Sequence, residues 1–285
     1  MRATPPGSRS LLGSLRGRVV VVTRPREQAD RLVALLEERG ATALVAPTIR
    51  VVPAPRASLQ RAVRSLSDGL FEWVVFTSAA GVEAVFEALT ERPPALPALA
   101  ARVAAVGTGT AATLRARGVE PDLVPGTFTT SALGRAIPRG SGRVLLPRAD
   151  IAPDGLEAAL SAKGWTPVRV DAYRTQLAGA LPDQARRALQ EGRIDAVTFT
   201  SASTVQGFLR AAASLVDDIR TRRATEPRSR RRPKLVSIGP VTSAALRSAG
   251  MSPDAVARPH TIEGLVVAVE RALAPPGGPG RKESR

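Results

Sequence analysis

Residues 20–46 read VVVTRPREQADRLVALLEERGATALVA, and residues 144–170 read VLLPRADIAPDGLEAALSAKGWTPVRV. Each stretch begins with an apolar run, continues into an amphipathic segment and ends in a second apolar run. A shift of 124 residues aligns the two stretches and matches Arg24 with Arg148. The strand–helix–strand pattern is typical of a parallel sheet, and its repetition predicts two related α/β domains.

Two further pairs of segments extend this repeat along the chain. The residues Phe-Thr-Ser-Ala occur at 76–79 and again at 199–202, a shift of 123 residues. Farther along, the shift becomes 132 and matches Gly107 with Gly239. The shift grows because the second copy carries extra residues, which we assign to a disordered surface loop at the Arg-rich segment Arg220–Lys234.

The repeat and the proline positions set the predicted domain boundaries. The stretches Pro47–Pro55 and Asp171–Pro182 are interpreted as two crossings between domains, so one domain is continuous and the other is built from both ends of the chain. Apolar runs that alternate with helical patterns predict that both domains are doubly wound parallel sheets. The predicted segments are a disordered extension over 1–17, a first α/β domain over 18–47 and 176–273, a second α/β domain over 48–175, and a disordered tail over 274–285.

Composition excludes several kinds of chemistry. The 285 residues include no cysteine and one histidine, so disulfides, thiolate catalysis and Cys- or His-rich metal sites are excluded. A formal net charge of +16 favours an anionic partner. Aromatic residues make up 3% of the chain, and many arginines fall in one segment, which argues against nucleic acid. No apolar run is long enough for a membrane span and no secretory signal is evident, so we expect a cytoplasmic protein that does not bind membranes.

Small polar residues and arginines follow several predicted strands. In parallel sheets, ligands bind beyond the carboxyl ends of the strands, where helix N-termini attract anions. Each hydroxyl has an alternative role as a helix cap, but their recurrence in both domains favours an anion-binding cleft. The predicted substrate-binding residues are Arg24, Thr77, Ser78, Gly107, Thr108, Thr110, Arg148, Thr200, Ser201, Ser203, Gly239, Thr242 and Thr261.

Three single residues have a functional and a structural interpretation each. Tyr173 is the one tyrosine of the chain, and its phenol is either a hydrogen-bond donor to a departing hydroxyl or a packed aromatic at a domain crossing. Arg148 pairs either with a substrate carboxylate or with the neighbouring Asp150 or Asp154. His260, whose counterpart in the repeat is Phe128, is interpreted as a loop residue.

The order of these motifs resembles that of the uroporphyrinogen-III synthase family. The resemblance extends from about Gly17 to Leu273 and rests on TRPRE, TSA, VGTGTAATL, LLPRAD, VDAYRT, FTSAST and SIGPVTSAALRSAG followed by HTIEGL. It implies two α/β domains joined by a two-strand connector. It also implies a lyase of tetrapyrrole biosynthesis that cyclises hydroxymethylbilane, a linear tetrapyrrole with eight carboxylates. Enzymes of this family remove water from the substrate and invert ring D through a spiro intermediate, and they use no metal or organic cofactor.

The resemblance also assigns residues and partners. Tyr173 matches the tyrosine suspected of assisting hydroxyl departure. Two departures from the family pattern are the Ala80–Gly81 pair, where Asn then Ala is common, and the Arg-rich insertion. We expect a monomer, with transient contact to the preceding pathway enzyme. Non-enzymatic anion binding and nucleic-acid binding are the alternatives. By the same resemblance, five residues match positions that line the cleft of the family: Thr77, Ser78, Ser201, Ser203 and Thr242.

Overall fold

The computed structural model describes residues 14–90, 100–221 and 232–274. The described residues fall into two compact units, the first comprising the chain up to Arg50 and from Leu177 onward, the second Val51–Gln176. Each unit contains a five-stranded sheet with helices on both faces, which confirms the predicted fold class. No helix in these ranges is long and apolar enough to cross a membrane.

Ten strands lie in the described part of the chain. They are β1 (Val19–Val22), β2 (Thr42–Val45), β3 (Ile49–Pro53), β4 (Trp73–Phe76), β5 (Arg102–Ala105), β6 (Arg143–Ala149), β7 (Thr166–Leu177), β8 (Ala196–Phe199), β9 (Lys234–Ser237) and β10 (Ala255–Val256).

Eleven α-helices connect or flank these strands within the described ranges. They are α1 (Asp30–Glu37), α2 (Arg56–Ser67), α3 (Ala79–Thr90), α4 (Thr108–Ala116), α5 (Thr130–Ala136), α6 (Gly155–Ser161), α7 (Asp183–Gln190), α8 (Ala202–Ala211), α9 (Ala213–Thr221), α10 (Pro240–Ser248) and α11 (Ile262–Leu273).

The sheet of the first unit has the order β10-β9-β8-β1-β2, and all its neighbouring strands are parallel. Side chains alternate between the two faces of a strand, so consecutive valines of β1 enter different cores. Val21 packs with Phe208 of α8 on one face, whereas Val20 and Val22 pack with Leu265 of α11 on the other. Apolar residues at every position of β1 therefore follow from burial on both faces.

The sheet of the second unit has the order β3-β7-β6-β4-β5. Strands β7, β6, β4 and β5 are parallel, and helices cover both of their faces. The division between the units falls inside β3, after Arg50, and again at the last residue of β7, after Gln176. The chain thus passes between units through two neighbouring strands, in agreement with the predicted two-strand connector.

The repeat in the sequence is visible as repeated contacts. In the second unit the Asp122 carboxylate accepts a 2.7 Å hydrogen bond from the backbone N–H of Val103 in β5. In the first unit Asp254 accepts a 2.9 Å hydrogen bond from the N–H of Leu235 in β9. A shift of 132 residues relates Asp122 to Asp254, and the same shift relates Val103 to Leu235. The sequence repeat is therefore a structural repeat of the two units.

The structure corrects two predictions of disorder. The extension predicted over 1–17 is wrong for residues 14–17, because they form a turn and Leu15 is 1% exposed in the first unit's core. The loop predicted at Arg220–Lys234 is wrong at both ends. Arg220 lies in α9, Lys234 begins β9, and Arg232 pairs with Asp254 at 2.7 Å. Residues 1–13, 222–231 and 275–285 lie outside the described residues.

Asp254 provides a test of these strand-end contacts. Its carboxylate accepts hydrogen bonds from Arg232, Lys234 and the Leu235 N–H. We expect Asp254→Ala to lower the free energy of unfolding by about 2 kcal/mol, because these donors lose a largely buried acceptor. Urea denaturation measures the loss, with the exposed Asp68→Ala as a control that should change stability little.

The same contact predicts a pH dependence of stability. Burial opposes ionisation of Asp254, but the hydrogen bonds from Arg232 and the Leu235 N–H hold its pKa below the ordinary value. This stabilisation is fully present above the unfolded pKa of about 3.9 and is lost as the pH falls through the lower folded pKa. The stability difference between the native chain and Asp254→Ala should therefore shrink only below about pH 4. A difference that shrinks between neutral pH and about pH 5 would contradict this assignment.

Candidate functional site

The predicted binding residues are distributed over the carboxyl-end edges of both sheets. Because the strands of each sheet are parallel at these positions, the segments that follow them meet at one edge. The edge of the first unit holds Arg24, Thr200, Ser201, Ser203, Gly239, Thr242 and Thr261. The edge of the second unit holds Thr77, Ser78, Gly107, Thr108, Thr110, Arg148 and Tyr173.

Several of the predicted hydroxyls act as helix caps. The Ser201 oxygen accepts a hydrogen bond from the N–H of Thr204 at 3.1 Å, and the Thr261 oxygen accepts one from the N–H of Gly264 at 3.1 Å. Ser201 also shares a 2.9 Å hydrogen bond with the hydroxyl of Ser203. Capping uses only the oxygen, so the serine pair retains a hydroxyl hydrogen for a ligand. The Thr261 hydroxyl is also hydrogen-bonded to the Glu263 carboxylate.

Helices α4 and α10 begin differently, on glycine caps. Their caps, Gly107 and Gly239, provide no side-chain acceptor for the first N–H groups. At Gly107 a Cβ would lie 2.9 Å from the Phe128 ring, and at Gly239 a Cβ would lie 3.4 Å from the His260 ring. The repeat thus preserves a close approach between glycine and ring in both units, and it leaves two helix N-termini whose N–H groups can bind an anion.

The threonines of these two helices are largely buried. Thr110 is 6% exposed and its counterpart Thr242 is 3% exposed, so little of either side chain can contact a ligand. Thr108, at the first position of α4, is exposed. His260 lies in the loop before α11, as predicted, where its Nδ1 is 2.8 Å from the carbonyl oxygen of Ala257.

Tyr173 and Ser78 form a hydrogen-bonded pair in the second unit. The Tyr173 hydroxyl donates to the Ser78 oxygen at 2.9 Å, and this oxygen also accepts from the Gly81 N–H at 3.1 Å. Burial raises the pKa of the phenol above its ordinary value near 10, although the hydrogen bond to Ser78 and the positive charge of Arg148 oppose the rise. The phenol is therefore protonated at neutral pH, and the pair can offer a proton to a ligand.

The backbone around Tyr173 is held by the segment that follows β6. The pairing of β6 with β7 shifts register after Arg148, so that Ala149 lies opposite Tyr173. Directly beyond this bulge the Asp150 N–H donates to the Tyr173 carbonyl at 3.2 Å, and the Asp150 carboxylate accepts from the Thr175 N–H at 3.0 Å. A β-bulge changes the direction in which nearby side chains point. Here the two hydrogen bonds formed by Asp150 hold the backbone at Tyr173 and at Thr175.

Arg148 is engaged inside the second unit. Its guanidinium is buried, lies 2.6 Å from a Glu157 carboxylate oxygen and donates to the Pro153 carbonyl at 2.9 Å. The suggestion that its acidic partner is Asp150 or Asp154 is wrong, because its partner is Glu157, whereas Asp154 pairs with Arg169 at 2.8 Å. Sequence reasoning missed Glu157, which is one helical turn into α6 and has no counterpart acid in the repeat.

Arg24 has the opposite surroundings in the first unit. Its side chain is partly exposed, yet its Nε is buried without a hydrogen-bond partner. Its other contact is a 3.3 Å hydrogen bond to Gln28, and no acidic residue in the described part of the chain pairs with it. Burial lowers the pKa of its guanidinium, which still remains charged at neutral pH. Arg24 is therefore a cation positioned for an anion at the sheet edge.

Side chains that commonly bind metals do not cluster in the described part of the chain. Within residues 14–90, 100–221 and 232–274, no group of three or more His, Cys, Asp and Glu side chains is arranged to hold an ion. The polar groups at both edges are instead hydroxyls, backbone N–H groups and arginine.

Comparison with known proteins identifies relatives over most of the chain. The model of the family described as uroporphyrinogen-III synthase HemD matches residues 30–267. The uroporphyrinogen-III synthase of Synechococcus elongatus is 28% identical over 259 residues, which cover 90% of this chain and 95% of the relative. A mutant uroporphyrinogen III synthase of Thermus thermophilus is similar in structure, with a TM-score of 0.64, 27% identity and coverage of 90% of this chain and 98% of that protein.

A fourth comparison concerns the fold alone. The uroporphyrinogen-III synthetase of Helicobacter pylori has a TM-score of 0.56 at 18% identity, covering 88% of this chain and 97% of the other. The match of the family model over most of the chain does not favour the alternative of a non-enzymatic anion-binding protein. The described geometry and these relatives agree with the resemblance found in the sequence motifs. The chain belongs to the uroporphyrinogen-III synthase family, whose members are lyases of tetrapyrrole biosynthesis.

Proposed function

We propose that this chain cyclises hydroxymethylbilane with loss of water and inversion of ring D to give uroporphyrinogen III. The observation that carries the proposal is the Tyr173–Ser78 pair, a protonated phenol at the carboxyl-end edge of a sheet in a chain of this family. A substrate with eight carboxylates needs many donors and positive charge, and both sheet edges supply them. No strong catalytic base is required, because the bilane loses its hydroxyl unaided.

The carboxylates of the substrate are bound, in this proposal, by helix N-termini and hydroxyls. The uncapped first turns of α4 and α10 offer N–H groups with a favourable helix dipole. Thr108 in the second unit and the Ser201–Ser203 pair in the first unit add hydroxyl donors. Arg148 does not bind a carboxylate of the substrate directly in this proposal, since Glu157 pairs with its guanidinium. The pattern suits a flexible polyanion that must be held in one geometry before it can close.

Tyr173 acts as the proton donor in the first step. The C–O bond of the hydroxymethyl group breaks, the phenol proton moves to the departing hydroxyl, and water leaves. The remaining cationic azafulvene is attacked by ring D, which forms the spiro intermediate, and a carbon–carbon bond then breaks and re-forms with inversion. Loss of a proton from ring D completes the macrocycle and balances the proton that the phenol gave, so the phenol is restored before the next turnover. Ser78 holds the phenol through its oxygen and keeps the donor in place between turnovers.

We further propose that the enzyme is a cytoplasmic monomer that contacts the preceding pathway enzyme transiently. Its large exposed apolar side chains, within the described ranges, belong to four separate positions: Leu70, Ile151, Val241 and Val267. None of these belongs to a run of exposed large apolar residues that would suggest a stable partner face.

A coupled assay tests the proposed function. Hydroxymethylbilane is generated in situ, the folded protein is added, and the oxidised uroporphyrin isomers are separated. We expect isomer III to predominate. Isomer I alone, the uncatalysed product, from a folded sample would contradict the proposal.

Replacing Tyr173 by Phe tests its role. A general acid usually contributes about 10²–10⁴-fold. We expect only about a tenfold loss of kcat for Tyr173→Phe, because the bilane also loses hydroxide unaided and most of the rate comes from positioning. Because the acid form of the phenol is needed and its pKa is raised, the native rate should fall only above about pH 10, and Tyr173→Phe should lack that fall. Complete inactivity of a folded Tyr173→Phe protein would contradict this account.

Two exposed valines give a matched test of the α10 N-terminus. Val241, the second residue of α10, is 58% exposed, and Val267 of α11 is 36% exposed. Val241→Asp places a negative charge where we expect a substrate carboxylate, so KM should rise about fivefold through repulsion of about 1 kcal/mol. An acidic residue at a helix N-terminus favours folding, so the loss would not reflect unfolding. Val267→Asp is the control, and equal KM values for both variants would contradict binding at this end of α10.

A further inference from the structure

The two arginines that the repeat equates are in opposite electrostatic states. Arg148 is neutralised by Glu157, whose carboxylate oxygens lie 2.6 and 2.7 Å from its Nη1. Arg24 has no acidic partner in the described chain. The Nε atoms of both arginines are buried with no hydrogen bond, so the two differ in the carboxylate that Arg148 has and Arg24 lacks. One copy of the repeat therefore contains a closed ion pair and the other an open cation.

A single difference between the copies accounts for the open cation. The shift that equates Arg24 with Arg148 places Val33 of α1 where Glu157 stands in α6. Flanking residues support this alignment, because Leu32 and Leu156 are 0% and 2% exposed, and Leu36 and Leu160 are both fully buried. The two helices thus present the same buried stripe. Val33 is partly buried against the first unit's core and cannot accept a hydrogen bond.

An unpaired guanidinium in partial burial is energetically unfavourable. A buried N–H without an acceptor loses the hydrogen bond that water would give it, and the loss is larger for a charged group. Other partly buried arginines of this chain are paired with acids: Arg18 lies 2.9 Å from Asp195, and Arg39 lies 3.0 Å from Glu270. Arg24 therefore departs from the chain's own pattern at the edge where ligands bind parallel sheets.

We propose that Arg24 is the residue that anchors one carboxylate of the tetrapyrrole, and that Val33 keeps it free to do so. This inference rests on the proposed function for the identity of the ligand. The planar fork of the guanidinium matches a carboxylate in a two-point contact, and the ligand takes the place that Glu157 holds in the second unit. The adjacent Ser201–Ser203 pair, which follows the neighbouring strand β8, can donate to the same group.

The test builds the missing ion pair. Val33→Glu gives Arg24 the partner that Arg148 has, and Val33→Gln is the matched control because it has the same length without the charge. Binding of uroporphyrin III, an octacarboxylate, is measured by fluorescence titration, and thermal unfolding reports whether the new pair forms. Arg24→Gln is measured in parallel.

We expect Val33→Glu and Arg24→Gln each to weaken uroporphyrin III binding by about tenfold or more, with Val33→Gln close to the native chain. Val33→Glu should also unfold at a higher temperature than Val33→Gln. Unchanged binding by Arg24→Gln, or by a Val33→Glu protein of raised unfolding temperature, would overturn the inference. These failures are distinct from failure of the proposed function, which shows as isomer I from the native chain even if uroporphyrin III binds.

Discussion

Parallel pairing between β1 and β8 is the interaction on which the first unit depends. It joins residues about 175 positions apart, with Val20 opposite Ala196 and Val21 opposite Val197. Two buried threonines reinforce the strands near their ends, since Thr23 donates to the Thr198 carbonyl at 2.7 Å and Thr198 donates to the Val21 carbonyl at 3.0 Å. The pairing brings the segments after β1 and β8 to one edge. Without it, Arg24 and the helix-capping hydroxyl of Ser201 would lie on distant, unconnected segments of the chain.

The repeat shows how one architecture carries two different sites. Both units retain the glycine–ring contact and the strand-end aspartate, which are requirements of the fold. They differ at positions that we propose contact a ligand. The second unit closes its arginine with Glu157 and adds the Tyr173–Ser78 pair, whereas the first unit leaves Arg24 open. We therefore assign ligand binding and catalysis to residues that differ between the two copies. The residues that the copies share stabilise the fold.

The fold was largely predictable from the sequence because repeated patterns determine it. The valine run of β1 and the Leu32, Leu35 and Leu36 stripe of α1 are read directly from apolar spacing. The turn holding Leu15 was missed, since a single buried leucine within an Arg- and Ser-bearing segment has no periodicity. The short strand β10 was missed because two residues give no pattern.

The grouping of the polar residues at the sheet edges was predictable, but the ion pairs and hydrogen bonds of their side chains were less so. Parallel strands dictate that polar residues after them share an edge, so that edge was foreseen. Which arginine is closed and which is open depends on acids nine residues further along the chain, as with Glu157 and Arg148. A mismatch in the repeat, Val33 against Glu157, carried that information in the sequence. The two hydrogen bonds by which Asp150 holds the backbone around Tyr173 depend on a strand bulge, and the spacing of apolar residues does not reveal that bulge.

The most direct test of the central claim is a crystal structure of the chain with uroporphyrin III bound. The account predicts a ligand carboxylate in two-point contact with the Arg24 guanidinium, at the edge where β1 and β8 end. It also predicts a second carboxylate at the uncapped first turn of α10. A bound ligand whose carboxylates contact neither group, with Arg24 still lacking an anionic partner, would contradict it.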